Sequence, residues 1–317
     1  MCVCTAPLAS AAALQPELNP TASLALFTTA AGFSESLSGS VRTEASLGKD
    51  THLWARLSAS RDEIEPVSSP NSKVTTDAGS IFVGAEGIIR KTRIGLAFAT
   101  GKGRSRNKTS DAKNTFDWYG LSLYGRSVIG GFSLISDLSL SRVQNSLKTA
   151  GTKNKTNTDL DTASIGLEIQ KTFSAGPLYL TPFVSADVLH IRGKGYETEN
   201  GIQVSKSNVT LAEFPCGVHA SLPFHLRSGS GYGMFITPVV SLAVIPTSGS
   251  SLTSQYRLGD TGNFSSQQIK VSDGTGKRAT VGIHTQGRRS SFGLETVMQK
   301  DDLKTSYGVF LRGKYSF

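Results

Sequence analysis

The chain ends in YGVFLRGKYSF, residues 307–317, and this segment indicates the type of fold. Every second residue is apolar, aromatic or glycine, and these residues are Tyr307, Val309, Leu311, Gly313, Tyr315 and Phe317. The residues between them include Arg312, Lys314 and Ser316. A period of two is that of a β-strand, in which successive side chains point to opposite faces. The segment therefore predicts a strand with one apolar face and one largely polar face.

The same alternation extends back along the chain to Thr51. In 132–142, for example, leucines alternate with serines and Asp137. About twelve strands are predicted, near 51–61, 79–90, 92–102, 115–128, 132–145, 158–173, 178–192, 205–222, 232–247, 276–287, 291–299 and 306–317. Short turns alternate with longer polar loops between them, as in outer-membrane barrels. The predicted fold is therefore all-β, a transmembrane antiparallel up-and-down β-barrel of about 12 strands over residues 51–317.

The composition is compatible with such a barrel. The chain has 317 residues, of which 38% are hydrophobic and 18% charged, with a net charge of +9. It contains no run of about 18 uncharged apolar residues, so a transmembrane helix is excluded, whereas alternating membrane strands escape such a search. A soluble all-β protein is the alternative, because its strands also alternate. Against it, many predicted strands exceed ten residues, and aromatic residues near strand ends suggest membrane girdles. They are Trp54, Trp118, Tyr119, Tyr179, Tyr232, Tyr307 and Tyr315.

The segment ahead of the barrel has a different composition. Residues 1–21 show little pattern and predict an extended or disordered lead-in, without the basic region of a clear export signal. Residues 22–50 are rich in small side chains, and Phe33, Leu37 and Val41 recur at four-residue spacing. This spacing predicts a slim linker helix, best placed at 30–46. We expect it to thread the barrel lumen, the alternative being an amphipathic helix on the surface.

Several short motifs follow the predicted helix in a characteristic order. The first strand contains Trp54-Ala55-Arg56. Later strands contain Val83-Gly84-Ala85-Glu86, Ile94-Gly95-Leu96-Ala97-Phe98, Tyr119-Gly120-Leu121-Ser122-Leu123-Tyr124-Gly125, Leu180-Thr181-Pro182-Phe183-Val184, Tyr196-Glu197 and the terminal Tyr315-Ser316-Phe317. From Ala22 to Phe317 the chain resembles the C-terminal β-barrel translocator domain of autotransporters, the type V secretion proteins of Gram-negative bacteria.

This resemblance implies a location, a function and partners. The barrel would lie in the outer membrane as a monomer, in contact with lipids and lipopolysaccharide, and support protein transport of its own N-terminal passenger. The barrel-assembly machinery would recognise Val309, Leu311, Tyr315 and Phe317, although Gly313 stands where a larger apolar residue is usual. Residues 1–21 are too few for the usual passenger. The sequence leaves open whether the chain is a fragment or the passenger has been lost.

No catalytic or cofactor-binding pattern is present. The sequence lacks HExxH, GxSxG and P-loop motifs, and Cys2, Cys4 and Cys216 form neither a disulfide framework nor a zinc site. Asp187 and His190 are three residues apart in a strand, so their side chains should point to opposite faces. Some autotransporters cleave themselves at an Asn of the linker helix, but 22–47 contains neither Asn nor Asp. We therefore expect no enzyme activity, cofactor or metal.

The charged residues leave two questions open. Loop cations would contact lipopolysaccharide phosphates or simply keep the loops soluble. They are Lys102, Arg104, Arg106, Lys108, Lys113, Lys148, Lys153 and Lys155. Inward-facing Arg312 and Lys314 are expected to pair with lumen acids, with Glu295, Glu168 and Asp137 as candidates. Nucleic-acid binding is not expected, because no reader motif is present. Alternative functions are an outer-membrane porin, a relic barrel without transport, or a soluble secreted protein that binds surfaces.

Overall fold

The computed structural model describes residues 20–46, 51–65, 73–107, 112–148, 154–199, 201–227, 233–249, 251–258, 265–270 and 274–317. It contains one helix followed by β-strands. In chain order they are α1 (Pro20–Ser46), β1 (His52–Ile64), β2 (Val74–Ile89), β3 (Thr92–Asn107), β4 (Lys113–Ile129), β5 (Phe132–Lys148), β6 (Thr156–Gln170), β7 (Phe173–Ala175), β8 (Leu178–Gly193), β9 (Tyr196–Glu197), β10 (Ile202–Val204), β11 (Ser207–Glu213), β12 (Cys216–Ser221), β13 (Phe224–Arg227), β14 (Gly233–Ser248), β15 (Ser251–Leu258), β16 (Ser265–Lys270), β17 (Thr275–Gln286), β18 (Ser290–Lys300) and β19 (Lys304–Ser316).

Fifteen of the strands form one antiparallel sheet that closes on itself. The first strand, β1, pairs with β2 on one side and with the last strand, β19, on the other, from His52 opposite Ser316 to Ile64 opposite Lys304. The segments β6 and β7 together form one strand of the barrel, and β11, β12 and β13 together form another. The fifteen segments therefore make 12 barrel strands. The predicted twelve-stranded antiparallel barrel is therefore confirmed.

Prolines interrupt the barrel strands without changing their register. Gln170 opposite Phe183 and Phe173 opposite Leu180 belong to one continuous register between β6, β7 and β8, with Pro182 between them. The carbonyl of Pro182 still accepts a hydrogen bond from the Lys171 amide at 3.2 Å. Since proline lacks only the amide donor, each such position loses one bond of the ladder and keeps the other.

The two ends of the barrel differ. We call the end with the tight connections the turn side; there Gly130 and Gly131 adopt positive φ angles of 59° and 81°, as a two-residue hairpin turn requires. The opposite end, the loop side, carries a separate four-stranded sheet in the order β16, β15, β10, β9. The sequence pattern assigned these segments to loops. Short strands that pair over long sequence separations, such as Ile202 with Leu258, leave no periodic signal.

The barrel is apolar outside and polar inside. Outward side chains such as Leu53, Leu57 and Leu121 are about half exposed, at 51%, 48% and 48%. Ionisable side chains such as Arg56 and Glu86 are buried in the lumen. A soluble protein buries its apolar residues and exposes its charges, whereas a membrane barrel does the reverse. No helix of the described residues is long and apolar enough to cross a membrane.

Two sequence expectations require correction. The helix begins at Pro20, ten residues before the predicted 30–46, and ends at Ser46 as expected. Residues 24–30 are all buried, including Thr28 and Thr29, so this half has no exposed face and shows no amphipathic period. Of the predicted girdle aromatics, Trp54 and Trp118 point into the lumen and are buried. Each lies an even number of residues from the other inward-facing residues of its strand. Tyr119, Tyr179, Tyr307 and Tyr315 are exposed, and Tyr232 lies outside the described residues. Residues 1–19 and 47–50 also lie outside them.

Candidate functional site

The lumen and the helix that occupies it form the candidate functional site. Phe33, Leu37 and Val41 of α1 are buried against the wall formed by β4, β5 and β6. The Phe33 ring stacks on the indole of Trp118, with centroids 4.7 Å apart and an angle of 16° between the planes. Small side chains such as Gly32 and Gly39 elsewhere on α1 let a helix of about 10 Å diameter fit beside this wall.

An unpaired charge would be costly in the lumen. Arg42 of α1 forms ion pairs with two aspartates. Its Nε lies 2.6 Å from Oδ1 of Asp137, and its Nη1 donates to Oδ2 of Asp187 at 3.1 Å. A second contact joins Nη2 to Oδ1 of Asp187. Ser38, one turn earlier, donates to Oδ2 of Asp137 at 2.7 Å. This arrangement, the Arg42 clamp, fixes both the rotation and the depth of the helix, because a guanidinium forms directional bonds.

The strand register creates space for the clamp. Asp137 of β5 lies opposite Gly166 of β6, which in turn lies opposite Asp187 of β8. The guanidinium of Arg42 rests over Gly166, where a Cβ atom would overlap its Nη2. Only glycine leaves this room between the two carboxylates. The clamp therefore depends on two residues of the helix, Arg42 and Ser38, and on one residue from each of three adjacent strands.

A second charged cluster lies at the closing seam of the barrel. Glu44 of α1 is 3.4 Å from Arg312 of β19, while Arg56 of β1 is 3.2 Å from Glu295 of β18. The Nε2 atom of His284 lies 2.7 Å from the other oxygen of Glu295. Glu295 was an expected partner of Arg312. The close contact of Arg312 is with Glu44 of the helix, an acid that was not among the candidates.

The first-strand residues divide between the two faces. Trp54 and Arg56 point inward, and Ala55 points outward. The Trp54 indole donates to the hydroxyl of Tyr124 at 2.7 Å, which joins β1 to β4 over the inner face of β2 and β3. His52, at the start of β1, lies 3.3 Å from Glu86. The motif thus contributes packing and hydrogen bonds to the turn-side half of the lumen.

The predicted assembly residues form one outward row at the seam. Val309, Leu311, Tyr315 and Phe317 are all exposed, and Phe317 is the most exposed at 72%. The Tyr315 and Phe317 rings meet edge to face with centroids 5.5 Å apart. The Phe317 amide donates to the carbonyl of Thr51 at 3.2 Å, so the chain terminus is bonded to the strand that closes the barrel.

A cavity of about 720 Å³ remains beside the polar face of α1. It lies between the helix and the part of the barrel wall that is opposite β4, β5 and β6. Glu35 of α1 reaches across the cavity to Arg278 of β17, at 3.4 Å. On the turn side its lining includes Arg288 and Ser290. The lumen is therefore only partly filled by the helix.

The loop-side end of the lumen is filled by apolar residues. Leu24 and Phe27 of α1 are buried in one cluster with Ile191, Val209 and Leu252, the last of which comes from the loop-side sheet. Burial raises the pKa of the Tyr196 phenol to about 12, although a hydrogen bond with Ser23 of α1 lowers it in part. The helix N-terminal end thus packs under the loop-side sheet.

Sequence reasoning missed the clamp. Arg42 is the single basic residue of α1, and this could have singled it out as a partner for lumen acids. Asp187 was considered only beside His190, which points outward and contacts the Thr210 hydroxyl at 3.0 Å. The described residues contain no group of three His, Cys, Asp or Glu side chains that could hold a metal ion.

Comparison with known proteins agrees with this architecture. Residues 53–295 match the family model described as the autotransporter β-domain. Among solved structures, the transport unit of the autotransporter AIDA-I from Escherichia coli is 18% identical, with a TM-score of 0.65 over 84% of this chain and 90% of that one. The translocator domain of autotransporter NalP from Neisseria meningitidis is 13% identical, with a TM-score of 0.67 over 92% and 98%.

A third solved structure, the β-domain of the Bordetella autotransporter BrkA, is 16% identical, with a TM-score of 0.59 over 85% of this chain and 100% of that one. No match was found among curated proteins. The three structures show the shared fold, and the family model extends over most of the sequence. On that match, the chain belongs to the autotransporter β-domain family.

Proposed function

We propose that this translocator barrel is anchored in the outer membrane of a Gram-negative bacterium and supports export of a passenger segment attached ahead of α1. The observation that carries this proposal is the path of α1 through the lumen. Its C-terminal end lies at the turn side, where the Ala45 carbonyl accepts from Arg126 at 3.5 Å. Its N-terminal end lies under the loop-side sheet. A segment attached to that end would leave the barrel on the loop side.

The Arg42 clamp gives the helix a defined end position in this process. A helix that slides through the lumen during export would stop where its single cation meets Asp137 and Asp187. Asp137 is fully buried, Arg42 is nearly so and Asp187 is about one-fifth exposed, so leaving the guanidinium or Asp137 without its partner is costly. The clamp would therefore retain α1 as a plug once the passenger has passed. No catalytic step, metal or cofactor is needed for this function.

We infer the membrane and assembly partners from the outer surface. A continuous apolar face on the barrel calls for lipid, and the exposed row that ends in Phe317 suits recognition by the barrel-assembly machinery. Among the loop cations, Lys102 and Arg104 already lie near Asp117 and Asp77, at 3.0 Å and 3.7 Å. Lys108 and Lys153 lie outside the described residues. Lipopolysaccharide binding by this group would thus use the cations that lack an acidic neighbour.

A porin is the second candidate, and the observation that favours it is the cavity of about 720 Å³ beside the helix. A pore also needs an opening at both ends. The buried cluster around Leu24, Phe27 and Leu252 packs at the loop-side end, which disfavours an open pore. A soluble surface-binding protein is disfavoured by the exposed apolar belt.

The export proposal is tested by fusing an epitope ahead of Pro20, behind a borrowed export signal, and labelling intact cells with an antibody. Barrel assembly is checked in the same samples by the gel shift of unheated protein. An assembled barrel with a labelled epitope supports export. An assembled barrel whose epitope becomes accessible only after lysis contradicts export, and a soluble periplasmic product overturns the membrane assignment. A second epitope inserted in the turn-side hairpin at Gly130 and Gly131, expected to stay inaccessible on intact cells, is the matched control.

A further inference from the structure

A groove on the outer surface of the barrel is not explained by transport. It has a volume of about 390 Å³ and faces outward on β12, β14, β17 and β18, at their loop-side ends. Ala279 is small and lies between the larger Leu242 and Met298 of the neighbouring strands, since Leu242 and Met298 are both its register partners. The exposed surface of the groove is almost wholly apolar at this level. Two lysines, Lys277 and Lys300, line its loop-side end.

The two lysines are placed directly against each other. Lys277 of β17 and Lys300 of β18 are register partners, and both side chains are exposed on the outward face. Like charges directly opposite on neighbouring strands destabilise a sheet. Within the part of the chain that the structure describes, neither ammonium forms an ion pair with a carboxylate. The Asp301 carboxylate, which follows Lys300, accepts hydrogen bonds from the amides of Leu303 and Lys304 at 2.8 Å and 2.6 Å.

Several outward cations on the other half of the barrel have acidic partners within the protein. Lys102 of β3 lies 3.0 Å from Asp117 of β4, and Arg61 of β1 lies 2.7 Å from Asp77 of β2. Arg142 of β5 likewise pairs with Asp161 of β6. Lys113 of β4 and Lys148 of β5 are a second opposed pair of exposed lysines. What distinguishes Lys277 and Lys300 is the apolar groove that they line, together with the absence of a described acidic partner. Such a site is complementary to an amphipathic anion.

The depth of the groove matches the outer leaflet of the proposed membrane orientation. One row below the lysines towards the turn side lie Ala279, Met298 and the exposed ring of Tyr307. Outward tyrosines mark the border between the apolar band and the aqueous side in membrane barrels. The ammonium groups would therefore lie at headgroup level, and the groove at the level of the acyl chains.

We propose that this groove binds one molecule of a phosphorylated glycolipid of the outer leaflet, the lipid A portion of lipopolysaccharide. Its phosphate would bridge Lys277 and Lys300, and one acyl chain would lie along Ala279 between Leu242 and Met298. The bridging phosphate relieves the repulsion between the two ammonium groups. This inference rests on the proposed outer-membrane location, because only there do the loop-side ends of the strands meet lipopolysaccharide.

Binding is measured by native mass spectrometry of the detergent-solubilised full chain with added lipid A. The double variant K277Q/K300Q is expected to bind on the order of 30-fold more weakly than the wild type, since each lysine near an anionic lipid surface contributes about 1 kcal/mol. The variant K102Q is the matched control, because Lys102 already has Asp117 beside it. Lipid A without its phosphates is expected to bind the wild type as weakly as intact lipid A binds the double variant.

Equal retention of lipid A by K277Q/K300Q and the wild type overturns the proposal, as does equal retention of the dephosphorylated lipid. The gel shift of unheated protein confirms that each variant is folded. A folded barrel that displays the epitope ahead of Pro20 but binds no lipid A refutes only this inference. A chain that does not enter the outer membrane refutes the proposed function as well.

Cross-linking locates the lipid on the surface. Cys216 is exposed and lies in one row with Lys277, because both are register partners of Val244. In a C2S/C4S background, a photoreactive maleimide on Cys216 should form an adduct with lipopolysaccharide in intact outer membranes. The adduct should fall about 30-fold when K277Q/K300Q is added. An adduct of unchanged yield in that variant contradicts binding at the lysine pair.

Discussion

The two halves of α1 occupy the same lumen but are held by different interactions. The loop-side half, 24–30, is buried on all sides and packs through Leu24 and Phe27 into an apolar cluster. The turn-side half has one apolar stripe against the wall, while Arg42 and Glu44 form ion pairs with the strands. Apolar packing excludes water without specifying direction, whereas the clamp specifies rotation and depth. The comparison suggests that one half seals the lumen and the other sets the position of the plug.

The largest effect is expected from removing the clamp cation. Arg42→Met leaves Asp137 and Asp187 without their partner, and breaking a buried ion pair in this way costs about 4 kcal/mol. Hydrogen exchange of the amides in 36–46 should accelerate by roughly a thousandfold, while the amides of 24–30 keep much of their protection. Arg142→Met removes an outward, half-exposed ion pair and should change helix exchange by less than about fivefold. Unchanged exchange in R42M would mean that the clamp does not hold the helix.

The next largest effect is expected in the sealing half. The ring of Phe27 packs so closely that a Cβ atom on Gly193 would lie 3.0 Å from its Cζ. Phe27→Ala should cost about 3 kcal/mol and open a cavity at the loop-side end. Recordings in planar bilayers should then show ion leakage through the lumen, although the Arg42 clamp is intact. Phe98→Ala, which removes an outward ring, is the control and should not leak. An F27A barrel that shows no ion leakage would mean that the apolar cluster does not seal the lumen.

A smaller effect should follow from filling the space beneath the clamp. Gly166→Ala places a Cβ atom where Arg42 Nη2 lies, and we expect the guanidinium to be displaced at a cost of about 2 kcal/mol. Exchange in 36–46 should rise by about 30-fold. Gly87→Ala, at a strand position with no atom within 4 Å of the added Cβ, should leave exchange unaltered. Equal hydrogen exchange of 36–46 in the two variants would argue against close contact between the Arg42 guanidinium and Gly166.

The barrel could be predicted because each strand carries its own signal. Alternation in Tyr307–Phe317 and in the earlier segments depends only on neighbours along the chain, so the strands, their number and their antiparallel order followed from it. Trp54 and Trp118 were wrongly assigned to the girdles because their position near a strand end was given more weight than the alternation of inward and outward side chains. Trp54 has the same parity as Arg56, and the intervening Leu53 and Leu57 mark the outward face.

The clamp, the start of the helix and the loop-side sheet could not be predicted in the same way. Arg42 meets Asp137 and Asp187 only because the register aligns Gly166 between them, and register is a property of three strands together. The first half of α1 is buried on every side, which removes the amphipathic period. The strands β9 and β10 have two and three residues, too few to show any alternation.

The most direct test of the account is a disulfide between helix and barrel. The hydroxyls of Ser34 in α1 and Ser164 in β6 are 3.1 Å apart, so cysteines at these positions would bring their thiols close together. In a chain without its native cysteines, S34C/S164C isolated from outer membranes should be oxidised almost completely. S34C/T296C, whose second site faces outward, should not be bridged. Absence of the Ser34 to Ser164 bridge in an assembled barrel would contradict a helix seated in the lumen at this depth.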